Sequence, residues 1–238
     1  VGAVIVKRGK IIGRGYHKKA GQDHAEIVAI KDALKNKNSL KGTTLYCTLE
    51  PCCHSGKTGP CANEIVRFGM KKVFFSHVDP FGKVNGKGEK FLRKNGVEVF
   101  KGLLEPEARA LNQPFLKVNK TGLPFVTLKA GISLDGKIAT RAGKSEWITN
   151  SLSRSHGKEL RDKYDAIVVG ANTIVIDNPV LACKKGRLLR VIMDGKLKID
   201  KKSKVFRDDD VVVITTSLAT KKKINKFEKA GIKVVKIG

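Results

Sequence analysis

Apolar and polar positions along the chain follow a succession of short periods, each of which predicts an element. Residues 1–7 and 10–16 are β-rich runs separated by Arg8-Gly9, the pattern of a hairpin. Over 23–34 the apolar residues fall at 27, 28, 30, 33 and 34, a helical stripe. Residues 43–49 return to a strand pattern, and 51–60 form a loop rich in Gly, Cys and Pro. A second helix is predicted over 61–68, closed by Gly69. A strand over 72–76, a Gly-rich loop over 79–88, a short helix ending near Gly96 and a strand over 97–100 follow. This β-α-β-α-β alternation implies a sheet covered by helices.

Residues 105–116 read as a connecting helix and 119–122 as a turn, which places a domain boundary between 1–120 and 121–238. A strand pattern restarts over 125–130, followed by a polar amphipathic helix over 153–164. Apolar strands are predicted at 166–169, 189–193 and 211–215, then a helix over 221–229 and a strand over 232–237. The second half is therefore α/β as well, with no internal repeat and no low-complexity tract. The chain opens on a strand without a methionine and stops directly after one. An N-terminal segment is expected to precede it, and the second domain is expected to be incomplete.

Composition adds less than charge. Hydrophobic residues make up 41% and charged residues 29%, ordinary for a soluble globular protein. No apolar run approaches the roughly 18–20 residues that a membrane helix needs. The expectation is a cytoplasmic protein without a membrane partner, with targeting left open by the unseen N-terminus. The net charge of +26 points towards a polyanion or a phosphate-bearing partner. Yet the lysines are spread over the whole chain, no block is both dense and interleaved with aromatics, and aromatics are only 6%. The charge is read as solubility and steering, which favours a small phosphorylated substrate over nucleic acid. The sequence is compatible with a homo-oligomer and does not specify one.

The cysteines change the picture. There are five, and three of them, Cys52, Cys53 and Cys61, fall within ten residues. An odd, clustered set argues for thiolates held for a metal in a reducing compartment rather than for disulfides. Upstream lies His24-Ala25-Glu26, and the cysteines sit in Pro51-Cys52-Cys53 and Pro60-Cys61. One imidazole and two thiolates leave the fourth tetrahedral position of Zn²⁺ open, as in a catalytic site. Zinc in such a site lowers the pKa of water towards neutrality. Glu26 is then the candidate proton carrier of a hydrolytic deaminase, because the H-x-E…P-C pattern places the Glu outside the ligand set. Glu26 has a structural rival role, since Asp23-His24-Ala25-Glu26 has capping-box spacing. Of the adjacent cysteines, Cys52 is assigned as ligand with His24 and Cys61, because it follows Pro51 as Cys61 follows Pro60. Cys47, Cys53 and Cys183 are read as bystander thiols.

The wider context of these motifs is more specific. Thr48-Leu49-Glu50-Pro51-Cys52-Cys53-His54-Ser55-Gly56-Lys57-Thr58-Gly59-Pro60-Cys61 resembles the T-L-E-P-C-x-H-x-G-K/R-T-x-P-C signature of the bifunctional riboflavin-biosynthesis deaminase–reductase family. Its eight residues between Cys52 and Cys61 set it apart from deaminases whose cysteines stand two residues apart. Lys129-Ala130-Gly131-Ile132-Ser133-Leu134-Asp135-Gly136-Lys137 is similar to the start of the family's reductase domain, and Gly143 to Thr149 and Asp177-Asn178-Pro179 continue in order. The resemblance implies a cytidine-deaminase-like three-layer α/β/α domain followed by a dihydrofolate-reductase-like α/β domain. It implies zinc-dependent deamination of 2,5-diamino-6-ribosylamino-4(3H)-pyrimidinone 5′-phosphate, then NADPH-dependent reduction of its ribosyl group to ribityl. By the same resemblance His54, Lys57, Ser145, Arg161, Leu181 and Lys184 contact substrate. Gly131, Trp147, Thr173, Asp177 and Gly195 contact NADPH. The family's segment before Val1 and a Gly-Gly loop in the reductase are absent, and Lys184 stands where arginine is usual. Two alternatives are carried: a deaminase with an inactive reductase domain, and a nucleic-acid deaminase.

Overall fold

The structure is a computed structural model that describes residues 1–54, 59–82, 84–143, 145 and 148–238. The chain divides into two compact units, Val1–Thr127 and Leu128–Gly238.

The first unit is built on a five-stranded sheet. Strands β1 (Gly2–Lys7) and β2 (Lys10–Tyr16) form the expected hairpin, with Arg8 and Gly9 both at positive φ in the turn. Strands β3 (Thr44–Cys47), β4 (Lys72–Phe75) and β5 (Glu98–Lys101) complete the order β2-β1-β3-β4-β5. β1 pairs antiparallel with β2 and β3, and β3, β4 and β5 run parallel. Parallel neighbours require crossovers, which helices α2 (Cys61–Arg67) and α3 (Lys87–Lys94) supply. Alternation along the strands turns Ala3, Ile5, Leu45, Cys47, Val73, Phe75 and Val99 into one core. Ala29 and Ala33 of helix α1 (Ala25–Lys35), Ile65 of α2 and Leu92 of α3 pack in the same core. The opposite sheet face carries Tyr46, Phe74 and Phe100, stacked ring on ring at 4.9 and 4.6 Å.

The connecting segment departs from the expectation of one helix over 105–116. It forms two, α4 (Glu105–Leu111) and α5 (Gln113–Thr121), hinged at Asn112. Pro114 has no N–H to continue the ladder. Asn112 is drawn out of helical geometry, and its buried amide nitrogen reaches His77 Nε2 at 3.1 Å. The expected strand over 125–130 is likewise absent: the segment is irregular and exposed, with Val126 at 79% and Leu128 at 94%. Its β-rich composition finds no partner strand among the described residues, and an unpaired strand has no ladder to hold it.

The second unit holds a parallel sheet of β6 (Ala166–Gly170), β7 (Leu189–Met193), β8 (Val211–Thr215) and β9 (Lys233–Lys236) in that order. Helix α6 (Ser151–Leu160) starts two residues before its predicted position because Asn150 caps it, its side chain accepting from Ser153 N at 2.9 Å. Helix α7 (Ala171–Asp177) has no counterpart in the sequence reading. Its Thr-Ile-Val-Ile run is weakly helical by propensity, and burial of Ile174 holds it. Helix α8 (Lys221–Glu228) precedes β9.

Candidate active site

The site begins with the way α1 is seated. Gly15 of β2 lies so close to the helix that a Cβ there would stand 2.2 Å from the Ala25 carbonyl oxygen and 2.5 Å from Ala29 N. Only glycine permits this approach, and it fixes the first turn of α1. His24 is the N-cap residue in extended backbone, and no side chain caps the helix. The capping-box alternative for Glu26 is therefore not what forms. Asp23 instead pairs with Lys31 at 2.5 Å, and the Glu26 side chain points inward, 4% exposed.

β3 ends at Cys47 five residues before Cys52, and Cys61 opens α2. His24 Nδ1 stands 3.4 Å from Cys52 Sγ and 3.3 Å from Cys61 Sγ, and the Cys61 N–H points at Cys52 Sγ at 3.4 Å. All three donor atoms lie within 4.8 Å of one another, and no other such group occurs among the described residues. Tetrahedral zinc, with bonds of about 2.3 Å to sulfur and about 2.0 Å to nitrogen, holds its N and S ligands roughly 3.6 Å apart. The observed spacing and the imidazole–thiol chemistry fit that ion.

The electrostatics suit the same purpose. Cys52 is drawn down to about 4, first by its hydrogen bond with Cys61 and then by the His24 imidazole. That shared hydrogen bond pushes Cys61 up, and the contact with Cys52 raises His24. The pocket thus favours a thiolate beside a cation. Burial raises the Glu26 carboxyl to about 7, which is where a proton carrier works best at neutral pH.

Around the cluster, Val84 (1% exposed) and Ile27 pack against Cys52 and Cys61. The His54 ring lies 5.8 Å from that of Phe81, and its buried Nδ1 has no hydrogen-bond partner among the described residues. Cys53 packs partly buried against the main core, Cys47 Sγ donates to Phe74 O at 3.6 Å, and Cys183 lies half-buried in the second unit. All five cysteines are free thiols. Two participants were missed in the sequence. Val84 was read only as one residue of the Gly-rich loop over 79–88. Glu50 is a buried carboxylate that stands in the Thr48–Cys61 signature but was given no role of its own there.

In the second unit the predicted residues fall into separate groups. Arg161 Nη1 donates to the Ala182 carbonyl at 3.2 Å, and Lys184 Nζ meets Glu159 at 3.5 Å, so these two cations share a corner with Leu181. Leu181 is 6% exposed and belongs to the core at a positive φ of 56°. Thr173 and Asp177 lie on α7. Gly195 follows β7, its carbonyl accepting from Thr215 Oγ1 and Thr216 Oγ1 at 3.1 and 2.9 Å. This is the carboxyl end of a parallel sheet, where open α/β folds bind cofactors. Gly131 and Ser145 lie in the irregular stretch before α6, and a Cβ on Gly131 would meet only Thr149 and Lys129 within 4 Å. Lys57 and Trp147 lie outside the described residues.

Comparison with known proteins separates the two units in the same way. The profile of the cytidine and deoxycytidylate deaminase zinc-binding region matches residues 1–77, and that of the RibD C-terminal domain matches 124–237. A solved structure of a diaminohydroxyphosphoribosylaminopyrimidine deaminase/5-amino-6-(5-phosphoribosylamino)uracil reductase from Thermotoga maritima is 39% identical. It superposes with a TM-score of 0.83, covering 100% of this chain and 73% of that one. The chain belongs to the RibD family. RibD of Acinetobacter baumannii superposes with a TM-score of 0.82 at 35% identity, covering 100% of this chain and 67% of that one. The riboflavin biosynthesis protein RibD of Aquifex aeolicus is 41% identical over 239 residues, 99% of this chain and 66% of the relative. The chain spans slightly less than two thirds of the length of such curated RibD relatives. Among the described residues, no helix is long and apolar enough to cross a membrane.

Proposed function

We propose that the first unit deaminates 2,5-diamino-6-ribosylamino-4(3H)-pyrimidinone 5′-phosphate and that the second reduces the ribosyl group of the product with NADPH. The observation that carries the reading is the His24–Cys52–Cys61 cluster with the buried Glu26 carboxyl beside it, in a chain of the RibD family. Zinc, when held by those three side chains, supplies a Lewis acid that makes water nucleophilic near neutral pH. The chain's own residues do the rest. Glu26 accepts a proton at a carboxylate oxygen and delivers it to the amine that leaves as ammonia, while oxygen replaces nitrogen on the ring. Val84 and Ile27 keep bulk water from the sulfur atoms. His54 Nδ1, buried and without a partner among the described residues, offers the ring or its substituents a hydrogen bond.

In the second unit Arg161 and Lys184 supply positive charge suited to the substrate phosphate. The carboxyl ends of β6 and β7, with Thr173, Asp177 and Gly195, are where NADPH is expected to lie. The test is to supply the purified, zinc-loaded protein with the diaminopyrimidine phosphate, with and without NADPH. Ammonia is expected in both cases, and NADPH oxidation in step with ribityl product only after it. Ammonia without NADPH oxidation would identify a deaminase with an inactive reductase, and neither would overturn the reading. No observation in the structure favours a nucleic-acid substrate.

A further inference from the structure

Glu50 is 2% exposed and sits two residues before Cys52. Its carboxylate is spent elsewhere. Oε2 accepts the backbone N–H groups of Gly86 at 2.9 Å and Asp79 at 3.3 Å, and Oε1 accepts that of Glu89 at 3.1 Å. Its own N–H donates to the His77 carbonyl at 3.1 Å. One side chain therefore ties together Asp79, Gly86 and the first turn of α3, and the backbone N–H of the same residue adds His77. The tie is close-packed as well as polar: a Cβ on Gly88 would stand 2.0 Å from the Pro51 carbonyl oxygen. What the tied segment carries is the wall of the site, with Val84 on Cys52 and Cys61 and Phe81 beside His54.

We propose that Glu50 is a positioning residue of the deaminase centre, its carboxylate fastening Asp79, Gly86 and Glu89 onto the strand-to-ligand connection so that Val84 and Phe81 shape the substrate pocket. The proposal rests on the deaminase reading above. Both oxygens of the Glu50 carboxylate are taken up by backbone N–H groups, so it acts through the segment it holds. A hydrogen bond to a charged group contributes more than a neutral one, and stranding its buried N–H partners adds to the loss. Glu50→Gln keeps the shape but removes the charge and turns its amide NH₂ either towards the Glu89 N–H or towards those of Gly86 and Asp79, while the amide oxygen still accepts on the other side.

The test joins amide hydrogen exchange, zinc content and steady-state kinetics of the zinc-loaded protein. In Glu50→Gln the amides of Gly86 and Glu89 are expected to exchange roughly 10- to 100-fold faster, as loss of one or two charge-assisted bonds implies. The KM for the diaminopyrimidine phosphate should rise about tenfold or more while kcat changes less than about threefold, the signature of lost binding rather than lost chemistry. Zinc should remain at one per chain, and Glu50→Asp, which keeps the charge, should recover part of the KM. Unchanged exchange, loss of zinc, or a fall in kcat at constant KM would each overturn the proposal. If Glu50→Gln does not fold, Gly88→Ala decides. It should push α3 from Pro51 and from Glu50, whose Oε1 and Cγ would lie 3.1 and 3.3 Å from the new Cβ, and so raise KM in the same way without removing the charge; wild-type kinetics there would refute the proposal. If the unmodified protein releases no ammonia, the deaminase reading has failed, and the substrate-free exchange measurement still shows whether Glu50 fixes the segment.

Discussion

Gly15→Ala is the substitution whose consequence the structure fixes most tightly. The new Cβ would stand 2.2 Å from the Ala25 carbonyl oxygen, 2.5 Å from Ala29 N and 2.8 Å from Val28 Cβ. The two nearest atoms are backbone of α1, so no side chain can swing aside. A carbon–oxygen contact needs about 3.3 Å, which means that the first turn of α1 must retreat by roughly 1 Å. Overpacking of this kind costs about 1–3 kcal/mol, or a fall in Tm of roughly 4–12 °C for a unit of this size. His24 directly precedes α1 and Glu26 lies in its first turn, so both move with it. A misplacement of about 1 Å at a reacting centre can cost on the order of 100-fold in rate. Calorimetry, zinc titration against a competing chelator and ammonia release should therefore all register the change. Gly2→Ala on the neighbouring strand is the control, since its Cβ would meet only Gly15 O at 3.9 Å. A Gly15→Ala protein with unchanged Tm, zinc affinity and ammonia release would refute the claim that this contact seats the site.

Further outcomes follow from the same geometry. Cys52→Ser is expected to abolish stoichiometric zinc binding, whereas Cys53→Ser should leave it unchanged; a metal assay on both distinguishes the adjacent thiols, and the reverse result would reassign the ligand. Asp79 is raised above the usual carboxylate range, first by burial. In that case the folded state binds the proton more tightly than the unfolded chain, so stability falls as pH rises through the folded pKa. Asp79→Asn, whose side chain can still accept from Phe81 N, should be more stable than the parent at neutral pH. That advantage should vanish below about pH 4, near the unfolded value. Urea melts across pH check this, and a stability gap that widens in acid would contradict it.

Much of the first unit was legible because its signals are local. The Arg8-Gly9 hairpin and the strand at Val73 and Phe75 record which side chains face the core, and the stripe over 27–34 located the helix, although its core face is Ala29, Ile30 and Ala33 and its Leu34 is exposed. The ligand set was legible for a different reason: His24, Cys52 and Cys61 are rare residue types in a spacing that has few other uses. What remained hidden depends on partners distant in sequence. The break at Asn112 combines a local cause, Pro114, with a distant one, His77, 35 positions away, and the 125–130 segment stays irregular because no strand among the described residues meets it. Glu50 was visible only as one letter of a signature, and its partners, the N–H groups of Gly86 and Glu89, lie more than thirty positions away. In the second unit the strands were clear, but α7 depends on the burial of Ile174 rather than on its own propensity.

The central claim is that Glu26 moves the proton at a zinc centre formed by His24, Cys52 and Cys61. Ammonia release from the diaminopyrimidine phosphate, measured for the wild-type protein and Glu26→Gln at equal zinc content, tests it most directly. A positioned general acid–base contributes about 10²–10⁴-fold, or roughly 3–5 kcal/mol of barrier. The account predicts at least that loss in Glu26→Gln with one zinc per chain retained. Ammonia release at the wild-type rate, or loss of zinc together with activity, would contradict it.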